Sequence, residues 1–434
     1  MQMISLNARS HPLVQVRSDA PSSLFMVSMH ILIVYLSIYG LVSIYVDNIV
    51  IRTLKDVGMI LVSLFALSKV YREQTSFLNP FLLVLGSVIA LGSLNLFMGS
   101  SVVTLIYGLK ITFLPLMMMF AGMLFAKYGG FYAFARTNFI IFILLIVGWL
   151  IQYSLGIEKL ITMGFVYGVN IKNYFEGVPR LSSITYSPDG YAYTLLITGL
   201  IAERMKLAVK YNLFRISIQL LTIGFLLLST IRSALVLWIV YQIVMFFLKI
   251  RKYNKKNTLI LGITFMLLPV GVFVGTRLLD SYNLLSVSSL LDRFNSWGSR
   301  LTSPLSMHGV VGNGIGSVGA ASRRTHMIGL NSNNFAVDNQ YFSFYEQTGW
   351  IGLIYFVVLF IMLAVVLVRK MDLLPSSDKI RLPQMATALL AGIAASSLTT
   401  NVLEMFPANI FFWIVIGMAL VGSHHEYDKP QKVG

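Results

Sequence analysis

The sequence predicts an all-α polytopic membrane protein of about twelve transmembrane helices. Three observations carry that prediction. Of the 434 residues, 56% are hydrophobic and 12% charged, with a mean hydropathy of +0.77, whereas an average soluble domain is about 25% charged. The apolar residues fall in blocks of roughly 20, the length that crosses a bilayer core. Those blocks are continuous rather than alternating, which argues against a transmembrane β-barrel. Abundant apolar surface also excludes disorder.

In chain order, the expected spans lie near 24–46, 49–70, 79–99, 101–127, 135–156, 188–208, 212–229, 231–250, 257–277, 349–369, 382–401 and 405–423. Nothing before Leu24 has the pattern of a removed signal peptide, so the first span reads as a retained signal anchor. Pro115 and Pro269 should bend the fourth and ninth spans, since proline removes an intrahelical donor. Most connections are short. Two are not: 157–187, about 31 residues, and 278–348, about 71 residues, and long loops in a compact bundle are where function concentrates. The whole of 1–434 reads as one integral membrane domain. The halves show no repeat, which argues against an inverted-repeat transporter.

Charge gives the orientation. The 33 Lys and Arg against 17 Asp and Glu make a formal net charge of +16, a balance that could signal nucleic acid. Most of the basic residues instead fall in alternate connections, among them Lys69, Arg72, Lys127, Arg136, Arg204, Lys206, Lys210, Arg215, Lys249, Arg251, Lys252, Arg369 and Lys370. That is the positive-inside pattern, and such residues also meet anionic lipid headgroups. It places both termini in the cytoplasm and both long loops outside, and no nucleic-acid partner is required. Cysteine is absent, which excludes disulfides, thiolate metal sites and a Cys nucleophile. The six histidines (11, 30, 308, 326, 424 and 425) have no metal-ligand spacing.

Four outer segments carry the candidate chemistry. Val178–Ala192 places Arg180 shortly before Pro188 and Asp189, which open a helix with proline in its first turn. Leu228–Ala234 is a tight turn between two spans and sets Arg232 at the membrane edge. Leu291–Trp297 contains Asp292 and Arg293. Asp338-Asn339-Gln340 leads through Glu346 and Gly349-Trp350-Ile351-Gly352 into a span. Taken singly, these arginines are ordinary interface anchors and these acids ordinary helix-start charges. Taken together, several arginines beside a carboxylate suit a site that holds a diphosphate and removes a proton from a hydroxyl. Inside the second span, Arg52 and Asp56 are four residues apart and are expected to pair. That would leave Lys55 unmatched as a further phosphate contact, with Lys110 lacking a local partner. Glu404, with Asn401 in the last outer turn, is an additional candidate.

The order of these motifs resembles the superfamily of O-antigen polymerases (Wzy-type) and O-antigen ligases. The pieces that carry the resemblance are Arg180 with Pro188, Ser229 to Ser233, Arg293 with Trp297, Gly312 to Gly316, and Asp338 to Gly352. The resemblance implies a GT-C-like membrane glycosyltransferase of the bacterial inner membrane, with a periplasmic active site. It implies undecaprenyl-pyrophosphate-linked oligosaccharides as donor and acceptor, membrane lipids and a chain-length regulator as partners, and neither metal nor cofactor. Arg180 and Arg232 would then be catalytic through the diphosphate and Asp338 as the base, with Arg293, Lys55, Glu346 and His326 binding substrate. Ligases carry His where this chain has Asp338, so the resemblance favours polymerisation of O-antigen or a related surface polysaccharide. The competing readings are a ligase that transfers glycan to lipid A-core and a flippase for lipid-linked oligosaccharide.

Overall fold

A computed structural model describes residues 23–46, 48–72, 78–94, 96, 101–173, 178–251, 306–327, 337–373 and 382–421. The chain is mostly helical. Among the described residues, five helices are long and apolar enough to cross a membrane, spanning Leu24–Tyr45, Val102–Lys127, Phe131–Thr162, Asn212–Ser229 and Gln340–Met371, and four shorter apolar helices cover Leu78–Ser93, Arg232–Leu248, Leu382–Ser396 and Ala408–Val421. The span expected at 257–277, with Pro269, lies outside the described residues.

The described helices are numbered here in chain order. α1 (Ser23–Tyr45) and α2 (Ile49–Tyr71) form a hairpin, and the Asn48 side chain caps α2 by accepting from the Val50 and Ile51 amides. On α1, Leu24, Val27, Ile31 and Val34 face outward while Met29, Ile33 and Leu36 are buried. That is a helical spacing of buried and outward residues with both faces apolar, as a lipid-facing helix requires. α3 (Leu78–Ser93) follows. α4 (Val102–Gly108) runs through a π-helical turn at Leu109–Phe113 into α5 (Leu114–Lys127). The expected bend at Pro115 is realised as this wider turn, because a proline at the start of α5 cannot donate to the preceding turn.

α6 (Phe131–Thr162) breaks at Gly156, which has φ 75°. A two-stranded antiparallel hairpin follows, β1 (Ile171–Asn173) and β2 (Pro179–Leu181), with Lys172 opposite Arg180. The Gln152 side chain of α6 bonds both the amide and the carbonyl of Ser183 at 2.7 Å, which fixes the hairpin to the helix. α7 (Pro188–Ala202) opens at Pro188 as the sequence suggests, capped by Ser187. α8 (Lys206–Lys210), α9 (Asn212–Ser229) and α10 (Arg232–Arg251) come next. Then come two short helices, α11 (Met307–Val311) and α12 (Gly319–Met327). α13 (Gln340–Leu373), α14 (Leu382–Ser396) and α15 (Ala408–Val421) complete the described chain.

The bundle has an inner set and an outer set. α5, α7, α14 and α15 are buried along nearly their whole length, while α1, α2, α6, α9, α10 and α13 expose rows of large aliphatic residues. α15 lies along α5 more closely than side chains allow, because glycine faces backbone at both crossings. A Cβ on Gly417 would sit 1.9 Å from the Met119 carbonyl oxygen, and one on Gly122 would sit 2.2 Å from that of Ile414. Small residues at such crossings let dispersion contacts hold helices together where lipid supplies no hydrophobic drive. Gly417→Leu should therefore destabilise the protein by about 3 kcal/mol or more through overpacking. Gly86→Ala, where nothing lies within 4 Å, should leave thermal stability in detergent unchanged. Equal melting temperatures for the two variants would refute this packing.

Candidate functional site

Arg180 is placed by β2 and does not point into open space. Its Nε donates to Thr230 Oγ1 at 2.9 Å and its Nη2 to the Thr230 carbonyl at 3.0 Å. Thr230 is the left-handed residue (φ 56°) that ends α9, so the arginine clamps the turn that introduces Arg232. Arg232 itself is exposed at the start of α10. Two arginines 52 residues apart in sequence thus flank one turn, and their shared positive charge favours an anion there. Next to it, Ser396 donates to the Ser233 carbonyl at 2.9 Å and shares a hydrogen bond with Tyr193. The neighbouring Ser397 carbonyl accepts from the Gln340 amide at 2.8 Å. The Asp338 segment, which leads into α13, is therefore anchored to the same helix end as the arginine turn. Asp338 is partly exposed.

α13 is broken at Gly349 (φ 67°, ψ −171°). A break of this kind releases carbonyls from the helical ladder, and they need other donors. The Glu346 carbonyl accepts from the Asn313 amide at 2.7 Å, and the Gln347 carbonyl from the Gly314 amide at 2.9 Å. Gly312 (φ 82°) passes so close that a Cβ would lie 2.5 Å from the Thr348 nitrogen. This explains the run of glycines: they form a backbone splint on a broken helix. Glu346 is buried, and its Oε2 accepts from Asn313 Nδ2 at 3.0 Å. The sequence suggested an acid standing above a span; Glu346 instead lies inside the helix and holds the splint.

From the splint a line of polar groups runs across the bundle end. The Gly316 amide donates to Gln347 Oε1 at 2.7 Å, Gln347 Nε2 to Ser343 Oγ at 2.8 Å, and Ser343 Oγ to Glu404 Oε1 at 3.2 Å. Glu404 Oε2 accepts from the Ala320 amide, at the start of α12, at 2.8 Å. Glu404 sits on a 3₁₀ turn (Val402–Glu404) between α14 and α15 and is partly exposed. Burial pushes its carboxyl above the usual range, against the lowering effects of these hydrogen bonds, of Gln340 and of Arg323. Gln340 ties the two halves of the layer together, since its Oε1 accepts from the Leu403 amide at 3.1 Å.

The charges inside α2 are arranged differently from the sequence expectation. Asp56 does not pair with Arg52, which donates instead to the carbonyls of Val46 and Ser43 at the end of α1. Asp56 takes Lys55 Nζ at 2.7 Å on one oxygen and Lys110 Nζ at 2.6 Å on the other. Lys55, expected to be unmatched, is 6% exposed and lies over the rings of Tyr39 and Phe406. The π-helical turn brings the partly exposed Lys110 into this triad, in which Asp56 balances one of the two cations and the buried Lys55 also rests on aromatic faces. That turn also packs against Val402–Glu404.

Of the other expected site residues, His326 is exposed in the last turn of α12, and Arg293, with Trp297, lies outside the described residues. Among the described residues, no three His, Asp or Glu side chains gather as metal ligands would. No family model and no curated protein matches the chain. The geometry of the site joins Arg180, Arg232 and Asp338 through Ser396, Ser397 and Gln340, and it adds Glu404, Ser343 and Gln347. The last two carry no local sequence signal.

Two measurements test this construction. Asp56→Asn leaves Lys55 and Lys110 around a neutral amide and should lower stability in detergent by about 3 kcal/mol; an unchanged melting temperature contradicts the triad. Gln347→Leu orphans the Gly316 amide, a loss of about 1–3 kcal/mol. It should speed tryptic cleavage at Arg323, and a cleavage rate equal to wild type contradicts the polar line.

Proposed function

We propose that this chain is a bacterial inner-membrane glycosyltransferase of the GT-C type. In this reading it has twelve spans with both termini cytoplasmic, and it polymerises undecaprenyl-pyrophosphate-linked repeat units at the periplasmic face. The observation that carries the reading is the clamp of Arg180 on Thr230, which fixes Arg232 on the turn tied through Ser396 and Ser397 to the Asp338 segment. An exposed arginine backed by a second, immobilised one suits a diphosphate whose charge grows as it leaves.

In this reading the donor glycan's diphosphate rests on Arg232, with Arg180 holding the turn and adding field. A hydroxyl of a second lipid-linked repeat unit attacks the donor's anomeric carbon. A carboxylate of the same polar layer takes the hydroxyl proton, and the carbon–oxygen bond to the diphosphate breaks. The resemblance noted above puts Asp338 in the role of base. A small apolar pocket lined by Val84, Leu85, Val88, Phe113, Phe356 and Leu403 lies beside the turn that carries Glu404. Sugars would lie on the outer segments, where the Gly312–Gly316 splint and α12 shield them from water. Polar groups concentrated at one end of the bundle support chemistry at a surface rather than passage through a central cavity, which separates this reading from a flippase.

Arg232→Ala in a deletion strain should abolish long polymer and leave single repeat units on lipid A-core, as seen on a glycan gel. Arg232→Lys should restore part of the chain length, because a point charge replaces a fork of donors. Normal polymer from Arg232→Ala would remove the diphosphate role. Accumulation of long lipid-linked polymer with nothing on the core would identify a ligase instead.

A further inference from the structure

The carboxylate closest to fulfilling the base's requirements is not the one that the motif order points to. Asp338 lies on the partly exposed approach to α13. Glu404 is held by two donors from different parts of the chain, Ser343 Oγ from α13 and the Ala320 amide from α12, so its orientation is fixed before any substrate arrives. Fixed orientation is what a group needs to take a proton in flight. It is still partly exposed, and Arg323, one helical turn into α12, lies within electrostatic reach.

A second observation comes from the segment that leads to it. The side chains of Ser397 and Asn401 are buried, 1% and 6% exposed. Their Ser397 Oγ and Asn401 Oδ1 atoms find no hydrogen-bond partner among the described residues. Buried polar atoms are nearly always paired in folded proteins. Both lie within the segment that joins Ser396 to Glu404, which follows the helix end that receives the Gln340 amide and approaches the arginine turn. A polyhydroxylated ring satisfies such atoms well, since each hydroxyl both donates and accepts.

Resting on the glycosyltransferase reading, we propose that Glu404, with Ser397 and Asn401, forms the acceptor-sugar subsite, and that Glu404 rather than Asp338 takes the proton from the attacking hydroxyl. The hydroxyl proton passes to a Glu404 carboxylate oxygen, and the freed oxygen bonds the donor's anomeric carbon. The bond from that carbon to the diphosphate oxygen breaks, its electron pair leaving on undecaprenyl pyrophosphate beside Arg232 and Arg180. Glu404 then returns the proton to water. Asp338 is left as a positioning residue at the start of α13. The upward displacement of the Glu404 carboxyl by burial keeps it a stronger base than a solvated glutamate, and activity should fall as pH drops through that raised value.

The test compares wild type, Glu404→Gln, Glu404→Asp and Asp338→Asn of the full-length chain in a deletion strain. Glycan length is read on gels, single lipid-linked repeat units are quantified in membrane extracts, and undecaprenyl pyrophosphate binding is measured on each purified variant in nanodiscs. The expected result is that Glu404→Gln forms polymer at least about 100-fold more slowly and accumulates single units, yet binds undecaprenyl pyrophosphate as wild type does. Glu404→Asp should recover part of the activity with a pH profile displaced from wild type. Normal polymer from Glu404→Gln, in a strain where deletion removes it, overturns this inference and leaves the polymerase reading standing. Loss of undecaprenyl pyrophosphate binding in Glu404→Gln assigns the residue to structure and equally overturns it. Unaltered surface glycans in the deletion strain itself overturn the polymerase reading and this inference with it.

Discussion

A carbonyl released from a broken helix has no water to turn to among packed apolar helices, and the polar end of this protein is organised around that constraint. α13 breaks at Gly349, and the carbonyls of Glu346 and Gln347 take the amides of Asn313 and Gly314. The glycine-rich segment is therefore not a slack connection. It is docked by the need of one helix, and its course sets where Gly316, Ala320 and α12 lie. From there the line through Gln347 and Ser343 reaches Glu404, so the position of that carboxylate also traces back to the break.

The inner helices supply the rigidity that such a layer needs. α15 meets α5 backbone to side at Gly122 and Gly417, and α7 and α14 close around them. Because these helices are apolar on every side, they have no solvent-facing stripe to set their rotation. Close glycine contacts and end-on hydrogen bonds, such as Ser396 to Ser233, set it instead. Site residues on the ends of such helices are held more firmly than residues on long loops would be. The π-helical turn before Pro115 is the counterpart on the other side of the layer: the proline removes a donor, the turn widens, and Lys110 is carried to Asp56.

Some of the site is legible in local sequence and some is not. The helix start at Pro188 follows from proline geometry and a serine cap, and the turn before Arg232 from the limit on span length. The link between Arg180 and that turn is tertiary, since Thr230 is 50 residues away. The α2 charges show how a local rule is overridden. Spacing of four residues favours Arg52 with Asp56 by only about 0.5 kcal/mol on a helix surface. Arg52 found unpaired carbonyls at the end of α1, and Asp56 found a lysine from another helix. Glu404 had only its residue type and outer placement to mark it; Ser343 and Gln347 had nothing, because their roles exist only across a fold-back of the chain.

What the sequence determined by itself is that the chain is mostly helical and carries apolar helices suited to a membrane. Continuous apolar blocks favour helices in lipid, because that effect scales with composition and needs no partner. What the tertiary structure decided is which polar groups meet. Apart from the Gln347–Ser343 bond within α13, the hydrogen bonds of the layer join segments tens or hundreds of residues apart, and a buried polar group pairs with whatever the packing of apolar helices brings within about 3 Å.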